Sequence, residues 1–75
     1  MTKAEQDIMR YFRQYRVGAN EMLFFNMGFS NSESPAFSSA MASLISNGLV
    51  VQERRRHAYS LTFDGFVASL ATLSA

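Results

Sequence analysis

The stretch SPAFSSAMASLISNGLVVQERRRHAYSLTFDG, residues 34–65, decides the fold. Ser34 offers a hydroxyl N-cap, and Pro35 follows at the first helical position, where its missing N–H is no loss. Phe37, Ala40, Met41, Leu44 and Ile45 then recur at i, i+3, i+4, i+7 and i+8, the apolar stripe of an amphipathic helix. Asn47-Gly48 ends that helix, with Gly48 suited to the left-handed turn after a C-cap. Residues 49–53 and 58–62 are short segments rich in Val, Leu and Tyr, separated by Arg54-Arg55-Arg56-His57. Tyr59, Leu61 and Phe63 alternate with Ala58, Ser60 and Thr62, as in a half-buried strand. The pair is predicted to be a β-hairpin with a basic tip. Thr62 then caps a final helix from Phe63, with Asp64 complementing the dipole in its first turn. Phe66, Val67, Leu70 and Leu73 form the predicted apolar side of that helix.

Upstream, Thr2 and Glu5 have the spacing of a capping box. Ile8, Tyr11, Phe12 and Tyr15 fall on one side of a helix over about residues 3–16, with Met9 at the edge. Lys3, Gln6, Arg10, Arg13 and Gln14 fall on the other. Val17-Gly18-Ala19 breaks the helix, and Asn20 is read as the N-cap of a second, shorter one reaching about Met27. That helix would be apolar nearly all round. Residues 28–33 read as a polar turn or short loop containing Phe29.

Seventy-five residues make one domain, residues 1–75, with a modest core. Hydrophobic residues are 48% and charged residues 17%, a globular rather than a disordered composition. The absence of cysteine excludes a disulfide framework, a thiolate metal site and a Cys nucleophile. A net charge of +1 gives no global basic field, so binding to nucleic acid has to rest on clustered charge. The N-terminal residues show no apolar signal region. The uncharged run 34–52 is of membrane length, but its apolar residues are periodic and interrupted by serines, Pro35 and Gly48. A cytoplasmic protein with no membrane partner is expected.

The order helix, helix, helix, hairpin, helix resembles a winged helix-turn-helix domain. Within it, Phe37-x-x-Ala40-Met41-x-x-Leu44-Ile45-x-x-Gly48-Leu49-Val50, a basic stretch and Tyr59-x-Leu61-Thr62-x-x-Gly65 look like the wing region of bacterial regulators of the MarR and PadR kind. The resemblance implies a mainly α fold with a small β-hairpin (α+β): three helices, a two-stranded wing and a C-terminal helix. It also implies a transcriptional regulator or accessory factor whose third helix enters the DNA major groove while the wing grips the phosphate backbone. Carried onto this chain, the outward helix face is Pro35, Ser39, Ala42, Ser43 and Ser46, flanked by Ala36, Ser38 and Asn47. The DNA-contacting set is then Ser38, Ser39, Ser43 and Asn47 with Arg54, Arg55, Arg56 and His57. The chain departs from the family in having no Arg, Lys or Gln on this helix, so the side chains that read guanine or adenine bidentately are mostly missing.

The other chemistry-bearing residues are sparse. Lys3, Arg10 and Arg13 make a looser basic stripe, offset by Asp7 and Glu5 and read as a solvated helix face. His57 is the single histidine, which cannot by itself build a common zinc site. No serine sits in a nucleophile elbow and no carboxylate adjoins His57, so neither an enzyme nor a cofactor is expected. Phe24, Met27 and Phe29 exceed what a small interior can bury: either residues 28–33 fold back to cover them, or they are a partner-binding patch. They support the alternative of a winged helix serving as a protein-interaction module. The apolar residues of the final helix suggest a homodimer.

Overall fold

The computed structural model describes residues 1–25 and 34–74. Its elements are α1 (Lys3–Gln14), β1 (Met22–Phe24), α2 (Pro35–Ser46), β2 (Val50–Gln52), β3 (Ala58–Leu61) and α3 (Phe63–Ala71), followed by a 3-10 turn at Thr72–Ser74. The strands form one antiparallel sheet in the order β1-β3-β2. The class is α+β, but the sheet has three strands where a two-stranded wing was predicted.

Each helix starts on its expected cap. The Thr2 hydroxyl accepts from the Glu5 N–H at 3.2 Å, and the Glu5 carboxylate accepts from the Thr2 N–H at 2.8 Å, which completes the capping box. The Ser34 hydroxyl accepts from the Phe37 N–H at 3.0 Å, and the Thr62 hydroxyl accepts from the Gly65 N–H at 3.0 Å. At the far end of α2, Asn47 is the C-cap and Gly48 turns left-handed with φ 73°. Helix α1 ends two residues before the predicted limit, because Arg16 adopts φ 54° and sends Val17 back into the core.

The predicted second helix is replaced over its first part by a strand. Met22, Leu23 and Phe24 pair with Ser60, Tyr59 and Ala58. Asn20, with φ 66°, donates its N–H to the Leu61 carbonyl at 2.7 Å rather than capping a helix. The remainder of that prediction, residues 26–27, lies outside the described residues, as does the predicted loop 28–33. The cause is non-local. Strand β2 satisfies only one edge of β3, and the other edge needs backbone partners. A short apolar run with no helical period supplies them. Phe25, just past the strand, is fully buried at the centre of a ring cluster, with centroids 4.8 Å from Tyr11, 5.1 Å from Phe12, 5.6 Å from Tyr59 and 5.9 Å from Phe37.

The core joins Ile8, Met9 and Phe12 of α1 to Phe37, Ala40, Met41 and Leu44 of α2, with Val50 and Leu61 from the sheet. Met9, expected at the edge, is fully buried, since α1 packs against both α2 and α3. The central strand β3 buries Ala58, Ser60 and Leu61, so the predicted half-buried alternation is not seen. Helix α3 is also turned from its predicted setting: it buries Gly65 and Ser69, half-buries Phe66 and leaves Val67, Leu70 and Phe63 exposed. Among the described residues, no helix is long and apolar enough to cross a membrane.

Candidate functional site

The hairpin that carries the arginine run is fixed at its base. The Glu53 N–H donates to the Ala58 carbonyl at 2.9 Å, and the Ala58 N–H donates to the Arg55 carbonyl at 3.1 Å. His57 takes φ 65°, a left-handed conformation in which His is several-fold enriched among non-glycine residues. Its carbonyl accepts from the Phe25 N–H at 2.9 Å. The tip is thus held by its own hairpin and by the chain leaving β1. Arg54, Arg55 and Arg56 are all exposed, and none forms an ion pair or hydrogen bond with another described residue through its side chain. The acid next to the run, Glu53, is bonded instead to the Ser60 hydroxyl. Among the described residues these three guanidiniums have no counter-charge, which leaves them open to an anionic ligand.

The cations of α1 are treated differently. Lys3 pairs with Asp7 at 3.1 Å, and Arg10 reaches the same carboxylate at 3.9 Å. Arg13 lies with its guanidinium carbon 5.4 Å from the Phe66 ring centroid and donates to the Ser69 hydroxyl at 3.4 Å. Arg13 is therefore packed on α3 rather than standing on a solvated stripe. Glu5, expected to offset the stripe, caps the helix and accepts from the Ser43 hydroxyl at 3.0 Å.

That bond removes Ser43 from the predicted DNA face, because its hydroxyl is turned towards α1. A groove between α1 and α2 is lined by Thr2, Ala4 and Glu5 on one side and Ser39, Ala40 and Ser43 on the other. Ser38 lies on the opposite flank of α2, where Ala42 and Ile45 face Gln52 and Tyr59 across a groove of about 170 Å³. Asn47 is exposed at the C-cap, at the end of the hairpin away from the arginines, with its amide 3.5 Å from the Ser43 hydroxyl. The structure thus brings Ser38 towards the hairpin, leaves Ser39 exposed beside α1, and separates Ser43 and Asn47 from the basic tip. Gln52 was not singled out from the sequence. Counting by twos from the buried Val50 along β2 places it on the side facing α2, and that alternation was the signal available.

Of the predicted partner patch, Met27 and Phe29 lie outside the described residues. Phe24 is 39% exposed on the outer face of the sheet. The pairing register puts it on the same face as Met22 and Val51, which are also exposed. His57 is half-buried with its backbone engaged. No group of three or more acidic or His side chains able to hold a metal occurs among the described residues. The chain matches no family model, no curated protein and no solved structure.

Proposed function

We propose that this chain is a small winged-helix protein that binds double-stranded DNA, as a transcriptional regulator or accessory factor, mainly through phosphate contacts from its wing. The observation that carries this reading is the set of three exposed arginines at a fixed hairpin tip with no counter-charge among the described residues. The neighbouring flank of α2 offers Ser38 and Ala42, and the wing strand offers Gln52. This surface is small and uncharged enough to lie against a duplex. It has few side chains that distinguish base pairs, so the affinity is largely independent of sequence.

The test is fluorescence anisotropy with two unrelated duplexes across a salt series. Wild type binds both similarly and weakens steeply as salt rises. Replacing Arg54, Arg55 and Arg56 together by Ala lowers the slope of log K against log salt by roughly two to three, at about 0.9 for each phosphate that is no longer neutralised. An unchanged slope in that variant, or a weakening confined to one duplex, rejects the phosphate-wing account.

The outer sheet face of Met22, Phe24 and Val51 favours a second reading, a protein-interaction module. In that case Phe24→Ser leaves thermal unfolding cooperative and abolishes binding to a protein partner while DNA affinity stays unchanged. A variant that no longer unfolds cooperatively shows Phe24 to be structural.

A further inference from the structure

Taking the chain as an interaction module, the second reading above, we propose that the open edge of β1 docks an extended acidic peptide. The peptide adds to the sheet as a further strand, with its carboxylates at the arginine tip. Strand β1 lies at one border of the sheet. On its inner side the Glu21 carbonyl accepts from the Leu61 N–H at 3.2 Å, and the Phe25 N–H donates to the His57 carbonyl at 2.9 Å. Antiparallel ladders alternate, so Met22 and Phe24 turn their backbone N–H and C=O groups away from β3. Neither residue has a backbone partner for them among the described residues, and Met22 is 45% and Phe24 39% exposed. At the other border β2 turns Val50 and Gln52 outward in the same way, but Val50 is only 1% exposed, so that edge is closed at its start.

The edge and the charges around it define the partner. Strand edges are usually guarded by lysine, proline or a bulge, whereas β1 is Met-Leu-Phe. Unpaired backbone groups beside apolar side chains suit an added strand, which gains affinity from main-chain hydrogen bonds and selectivity from alternate side chains. Residues of that strand opposite Met22 and Phe24 share their face of the sheet, so apolar side chains are favoured there. A lipid surface fits less well, because hydrocarbon leaves edge N–H and C=O groups unsatisfied. Charge sets the polarity of the peptide. Glu21 is exposed at the start of β1. The register sets Phe24 opposite Ala58, one residue past His57, at the end of the sheet that carries Arg54, Arg55 and Arg56. Carboxylates are therefore attracted to the Phe24 end and repelled from the Glu21 end. With only three residues in β1, the contact is short and the complex weak.

Fluorescence anisotropy of the whole chain with a labelled Val-Thr-Val-Thr-Val-Asp-Asp-Asp peptide tests this. Wild type binds it and does not bind the same peptide ending in three lysines. A third peptide carries N-methylvaline at each valine, which keeps the side chains and removes the donors that face β1. It binds roughly tenfold more weakly, the loss of about one net hydrogen bond. Met22→Pro removes a donor that points away from β3, a change edge strands tolerate. It keeps the circular dichroism spectrum and the DNA affinity of wild type and weakens peptide binding by a similar factor. Failure of wild type to bind the acidic peptide overturns the proposal. So does equal affinity for the N-methylated peptide, which would mean that the tip attracts acid without strand addition. A wild type that ignores the peptide and sediments with phosphatidylserine vesicles assigns the surface to lipid instead. A protein partner lost by Phe24→Ser but kept by Met22→Pro retains the interaction module and overturns the edge site alone.

Discussion

Helices α2 and α3 have similar hydrophobic content and different settings. Helix α2 turns Phe37, Met41 and Leu44 inward and keeps Ser38, Ser39 and Ser46 outside, while α3 turns Gly65, Ser69 and the half-buried Phe66 inward and leaves Phe63, Val67 and Leu70 outside. The first is placed by apolar burial, the dominant force for a surface helix. The second is placed by its entrance. The Thr62 hydroxyl shares its one proton between the Gly48 carbonyl at 2.7 Å and the Leu49 carbonyl at 3.2 Å, and the Thr62 N–H donates to the Leu49 carbonyl at 3.1 Å. These bonds tie down the first turn of α3. The difference shows that composition alone does not orient a helix when its first turn is tied down.

The largest effect on this contrast is expected from Gly65→Ala. A Cβ at this position would stand 1.9 Å from the Leu49 carbonyl oxygen and 2.8 Å from its carbon. Both are backbone atoms that cannot swing aside. A single methyl group should cost more than about 4 kcal/mol, in the exceptional range for one substitution, and leave so small a domain largely unfolded. Thermal denaturation followed by circular dichroism checks it. A Gly65→Ala variant that melts near wild type would mean that α3 does not dock this closely.

A matched pair of leucines gives the next largest effect. Leu44 of α2 is fully buried, and Leu44→Ala should cost about 3 kcal/mol in transfer and cavity terms. Leu70 of α3 is 42% exposed, and Leu70→Ala should cost under about 0.5 kcal/mol. Urea unfolding at low micromolar chain concentration measures both on the monomer. Equal costs would show that α3 presents its large side chains to the core after all.

The same contrast explains what could be read from the sequence. Caps and turns are local, so Thr2 with Glu5, Ser34-Pro35, Asn47-Gly48 and Thr62 marked the helix ends, and alternation around the arginine run marked the hairpin. Strand β1 was hidden because its partner is the edge of β3, some 35 residues later, and because Met22 to Phe25 are uniformly apolar and carry no period. The rotation of α3 was hidden because the apolar stripe was the visible signal and the ties from Thr62 were not. At the candidate site the basic tip was legible from Arg54 to Arg56 alone. The diversion of Ser43 to Glu5, and the arrival of Gln52, depend on how α2 sits against α1 and the sheet.

Each helix also has a polar link to α1, and these two links should respond differently to pH. The α2 link is the Glu5 carboxylate. The hydrogen bond from the Thr2 backbone N–H, then the Ser43 hydroxyl and the Thr2 side chain, hold its pKa below the ordinary carboxylate range against the opposing effect of burial. A carboxyl with a depressed folded-state pKa adds stability that is fully present above its unfolded value, about 4.3, and is lost as pH falls through the folded one. Glu5→Gln should therefore be less stable than wild type at neutral pH by about 1 kcal/mol, the usual cost of losing a cap bond. That gap should close as the solution is taken well below pH ~4, where the wild-type carboxyl is also neutral. The α3 link is Arg13 on Phe66 and Ser69, a contact that involves no carboxylate. Arg13→Met should thus lower stability by a similar amount with a gap that stays constant from neutral to acid pH. Urea titrations of the three proteins over that range decide it. A Glu5→Gln gap that persists in acid would mean that the link to α2 depends on shape rather than on charge.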